Sequence, residues 1–86
     1  MPEISRFYGI IIKMYFDDHN PPHFHAIYGE LEAIININTL GIIWGELTPR
    51  ALGLVMEWAS LHHDELLHAW EQSKNLKPLD KIDPLP

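Results

Sequence analysis

The apolar residues of this chain change period at Thr48-Pro49. Before that point they alternate, as along a strand with one buried face. Tyr8, Ile10, Ile12, Met14 and Phe16 interleave with Gly9, Ile11, Lys13, Tyr15 and Asp17. Phe24, Ala26 and Tyr28, and then Leu31, Ala33, Ile35 and Ile37, repeat the pattern. Beyond it, Leu52, Val55, Met56, Ala59, Leu66, Leu67 and Trp70 recur at three- and four-residue steps, the spacing of one helix face. A small sheet with one apolar face is not stable alone, and the helix supplies its cover. The expected fold is α+β: a three- to four-stranded antiparallel β-meander packed on one face by a long C-terminal α-helix.

The boundaries follow from local chemistry. Strands are expected over about 7–17, 23–28, 31–37 and 40–44, the last weakened by Gly41 and Gly45. Thr48 is a natural N-cap and Pro49 suits the first helical position, so the helix runs over about 49–74. One continuous helix is expected, the alternative being two with a break near His62-His63-Asp64. Residues 75–86 contain Pro78, Pro84 and Pro86 and read as an extended tail; Leu76, Leu79, Ile82 and Leu85 lay it along the body. The whole, 1–86, reads as a single domain.

Gly29-Glu30 reads as a two-residue turn with glycine supplying the positive φ. That turn pairs Tyr28 with Leu31, Ala26 with Ala33 and Phe24 with Ile35, all core with core. The opposite face then pairs Ile27 with Glu32, His25 with Ile34 and His23 with Asn36. For the preceding hairpin, pairing Phe16 with Phe24 sets Asp17 opposite His23 and Tyr15 opposite His25.

Three of the six histidines fall in the block Asp17-Asp18-His19-Asn20-Pro21-Pro22-His23-Phe24-His25. Asn-Pro-Pro is turn chemistry, so the block is a hairpin tip with histidines on the tip and the outgoing arm. His23 and His25, two apart on a strand, share a face. With His19 folded over them and Asp17 opposite, His19, His23, His25 and Asp17 form a candidate metal site for a divalent transition metal such as zinc. The spacing H-x3-H-x-H is not a standard zinc signature, and the same rings would serve structurally by bonding Asp17, Asp18, Asn36 and the tip backbone. A third reading makes His23 and His25 a general acid and base with Tyr15, Lys13 or Arg6 as stabiliser, as metal-independent RNA cleavage requires.

On the same face Ile11, Ile27, Ile34 and Ile43 gather as a candidate partner interface, for a homodimer or a heteromer. His62, His63, Asp64, Glu65 and His68 read as a solvated helix face. The formal charge is −6, with twelve acids against six bases. That is the wrong sign for a chain that grips a phosphate backbone unaided. There is no cysteine, the start Met1–Arg6 lacks the basic and apolar regions of a signal peptide, and no apolar run approaches a membrane span. A cytoplasmic protein with no membrane partner is expected.

The start Met1-Pro2-Glu3-Ile4-Ser5-Arg6-Phe7-Tyr8-Gly9, the block Met14 to His25, and Pro49-Arg50-Ala51-Leu52 with Glu57-Trp58 resemble domain-of-unknown-function family 4160, small prokaryotic proteins. The His-Asn-Pro-Pro-His-Phe-His run carries most of that resemblance. It implies a strand meander plus helix, and a partner: another small protein encoded by the neighbouring gene, in a two-gene module like toxin–antitoxin pairs. The expected function is thus a small interaction protein with the histidine-bearing hairpin as its working surface. The competing expectation is a metal-binding protein or a metal-independent ribonuclease using His19, His23 and His25.

Overall fold

The computed structural model describes residues 3–16 and 18–86. It has five strands, β1 (Glu3–Phe7), β2 (Ile10–Lys13), β3 (His23–Tyr28), β4 (Leu31–Asn36) and β5 (Ile42–Gly45), followed by helices α1 (Pro49–Leu61) and α2 (His63–Lys74). The strands form one antiparallel sheet in chain order, β1-β2-β3-β4-β5. The class is α+β, as the change of period requires. The strand count and the single helix are corrected.

The expected first strand, 7–17, is shortened to β2, and a further strand, β1, precedes it across a turn at Tyr8-Gly9. Both residues have positive φ, 50° and 79°, the requirement of a two-residue turn matched to sheet twist. Tyr8 is therefore at an exposed corner rather than in the core, and the strand before it buries Ile4 and Phe7. Phe16, expected inward, lies beyond the end of β2 and is exposed.

The β3–β4 register is the one the Gly29-Glu30 turn dictates, from Tyr28↔Leu31 to His23↔Asn36. The β2–β3 register differs by two residues: Lys13, not Tyr15, stands opposite His25. A shift of two preserves which face each side chain occupies, so Ile10, Ile12 and Met14 are still fully buried. The link between β2 and β3 is correspondingly longer, and its Asn20–Pro21 bond is cis.

The helix breaks at His62, whose φ of −118° and ψ of 30° leave the helical range. Thr48 caps α1 as expected, accepting a hydrogen bond from the Ala51 N–H. Asp64 and Glu65 stand in the first turn of α2, where the positive helix end favours acids. The buried positions Ala59 and Leu66 keep the helical step to either side of half-buried His62. The apolar period thus runs through the break without a phase change.

The core joins Phe24, Ala26, Ala33, Ile35 and Ile37 of the sheet region to Val55, Trp58, Leu66 and Trp70 of the helices. Trp58 is central, its ring centroid 5.3 Å from Phe7 and 5.9 Å from Phe24. The tail closes the structure as an extended strap. Ile82 N–H donates to the Ile4 carbonyl, Trp58 Nε1–H to the Asp83 carbonyl and Tyr8 O–H to the Pro86 carbonyl. Ile82 and Leu85 are buried beneath it.

At the far edge the register between β4 and β5 slips near Ile34/Ile35. Gly45, with φ 82°, presses its backbone against the Glu32 carbonyl, which a Cβ there would strike. Gly45→Ala combines a left-handed backbone with a clash against main chain, and is expected to lose about 2–4 kcal/mol of stability. A lowered urea midpoint measures it; an unchanged midpoint would refute the account.

Candidate metal centre

β3 starts directly after Pro22, so the tip delivers His23 and His25 side by side, and Asp18 from the same loop lies against them. Asp18 Oδ2 lies 2.9 Å from His23 Nε2 and 3.8 Å from His25 Nε2. Asp18, His23 and His25 each offer an atom within 4.8 Å of the others, close enough to hold one metal ion. The His23 and His25 side chains are 10% and 12% exposed.

The other nitrogen of each ring determines what these atoms can be. His23 Nδ1 lies 2.8 Å from the Pro21 carbonyl oxygen. His25 Nδ1 lies 2.9 Å from Glu32 Oε2. A carbonyl and an ionised carboxylate only accept, so each Nδ1 must carry the proton and donate. A neutral ring then has a bare lone pair at Nε2. His25 Nε2 is buried with no hydrogen-bond partner among the described residues, whereas both nitrogens of His23 face acceptors, so that ring makes both bonds only as the protonated, doubly donating imidazolium. A metal ion would take the place of the His23 Nε2 proton and use the lone pair of His25 Nε2 beside the same carboxylate.

Asp18 is held ionised. Burial pushes its pKa up, but the His19 backbone N–H on Oδ1, the His23 ring and the charge of both rings when protonated outweigh this, and the net direction is down. Tyr15 packs edge-on against His25, with centroids 4.5 Å apart. His23 is in contact on its other side with Trp70 of α2, at 5.1 Å. It therefore belongs to the junction of sheet and helix, not to a free outer surface. A hollow of about 270 Å³ opens beside the trio, lined also by His19, Asn20, Pro21, Ile34 and Ile43.

Of the expected ligands, His23 and His25 are brought together. His19 is not among them: it is exposed, and its backbone N–H serves Asp18. Asp17 lies outside the described residues; among those described, the acid beside the two rings is Asp18. Tyr15 reaches His25 by ring contact alone. Ile11, Ile27 and Ile34 are half-buried on the sheet face turned away from the core, and Ile43 is exposed. Sequence reasoning missed Glu32. The signal was present, since pairing Ile27 with Glu32 and His25 with Ile34 makes Glu32 a diagonal neighbour of His25. No helix among the described residues is long and apolar enough to cross a membrane.

Fold and site together define a small α+β protein with a His/His/Asp group at a hairpin tip. The family described as "Domain of unknown function (DUF4160)" matches residues 9–71, and the chain belongs to that family. No curated protein and no solved structure matches it.

Proposed function

We propose that this protein binds a divalent transition metal, zinc, through Asp18 Oδ2, His23 Nε2 and His25 Nε2. The observation that carries this is His25 Nε2, buried without a hydrogen-bond partner among the described residues and 3.8 Å from Asp18 Oδ2, while Glu32 accepts from Nδ1. Zinc-bound histidines characteristically donate their second nitrogen to a carboxylate or a carbonyl, and Glu32 and Pro21 offer one of each. Tetrahedral ligands about 2.0–2.1 Å from zinc stand about 3.3 Å apart. The separations of 2.9 and 3.8 Å straddle that value, and a small rotation of the carboxylate evens them. Three protein ligands leave a fourth position for water or an exchangeable ligand, which the adjoining hollow would admit.

Zinc titration against a competing chelator, after stripping, tests this. One equivalent per chain is expected, with affinity falling by more than about 100-fold in His25→Ala. Equal binding by wild type and variant, or none at millimolar zinc, would overturn it. The interaction reading, with the product of a neighbouring gene as partner, is supported by a different observation: the exposed apolar residues Ile42, Ile43 and Trp44.

A further inference from the structure

The sheet has two edges and they are treated differently. Along β1 the tail lies close enough for Ile82 N–H to reach the Ile4 carbonyl. Along β5 no strand among the described residues is paired on the outer side, and all four of its residues are exposed. Edge strands are normally protected by lysine, proline or a cover; β5 reads Ile-Ile-Trp-Gly and has none of these. Its shortness and the slip opposite Ile34/Ile35 limit how many main-chain bonds it can offer. Recognition there must draw on side chains as well. Trp44 is 61% exposed, against 0% and 2% for Trp58 and Trp70. It stands opposite Ile34, and Ile34 and Ile43 both line the hollow at the hairpin tip.

Charge says what kind of chain fits. The segment Leu40–Leu47 has one charged residue, Glu46. Glu46 N–H bonds the Glu32 carbonyl, so the backbones of two acidic residues meet at that end of β5, and Asp18 lines the same hollow as Ile43. A second copy would bring these acids against their own kind, between bodies of formal charge −6. A basic, apolar strand meets them with the opposite sign.

We propose that β5 accepts an extended segment of another protein, with alternating basic and apolar residues, as a sixth strand against Trp44 and Ile43. Main-chain bonds give such a complex its geometry and alternate side chains its specificity. The surface does not depend on the metal reading, and its test is run with chelator present.

Trp44 is the one readily quenched indole among the three, so acrylamide quenching of the full chain reports on it. The probes are a lysine–valine alternating peptide, its glutamate–valine counterpart and a lysine–proline peptide that lacks alternate N–H donors. Saturable protection by the lysine–valine peptide is expected, weakening with salt, with affinity at least roughly tenfold lower for the other two. Trp58 and Trp70 are already shielded, so a Trp44→Phe chain should show little quenching and no peptide-dependent change. Glu46→Lys should narrow the preference for the lysine over the glutamate peptide. Absence of protection, equal protection by all three peptides, or a chain whose Trp44 is already shielded in a homodimer would overturn the proposal.

Discussion

Trp58→Ala is expected to destabilise the protein by about 3–5 kcal/mol. Domains of this kind have about 5–15 kcal/mol of net stability in total, so much of it is lost. Trp58 is fully buried, touches Phe7 of β1 and Phe24 of β3, and donates its indole N–H to the Asp83 carbonyl. One side chain therefore ties both ends of the chain to the sheet. Trp58→Phe keeps much of the packing, removes the donor and part of the ring, and should cost about 1–3 kcal/mol. Urea unfolding followed by circular dichroism measures both. A loss below 1 kcal/mol for the alanine variant would mean that the tail and core are held by other contacts.

The second large effect concerns the metal centre. Zinc at about 100 times its dissociation constant should add about 2.7 kcal/mol of stability, because it binds the folded chain. His25→Ala should abolish that gain. Glu32→Ala should weaken zinc about 10- to 100-fold although Glu32 would not touch the metal. Its removal frees the His25 proton to move to Nε2 and block the lone pair. Acidification should expel the metal, since imidazole ligates only when neutral. Asp18 does not set that limit. Its folded pKa lies below the usual carboxylate value, so its stabilising contribution is complete above the usual range and is lost only as pH falls through the lowered value. Zinc that fails to shift the melting temperature of wild type, or that shifts His25→Ala equally, would remove the metal centre from consideration.

How far the fold was legible in the sequence depended on whether periodicity carried the information. The β3–β4 pairing was readable residue by residue because Gly29-Glu30 fixes it. The faces of β2 were readable despite a register two residues off, because side-chain direction repeats every two. The Tyr8-Gly9 turn was hidden because a tyrosine at positive φ falls inside an apparently unbroken alternation. The break at His62 was hidden because burial continues at helical steps across it. That Asp18 bonds His23 was legible only as one of several partners in the tip, since loop residues have no repeat to single one out. Trp44 was passed over because an edge strand and a central one look alike in sequence.

The meander also bears on how the molecule folds and opens. Every strand pairs with its neighbour in the chain, so the sheet can assemble from short loops whose closure costs little entropy. The strap is the opposite case: Tyr8 and Pro86 are 78 residues apart. It should dock last and detach first, so the Ile82 amide should exchange with deuterium well before those of β3 and by a local opening insensitive to dilute denaturant.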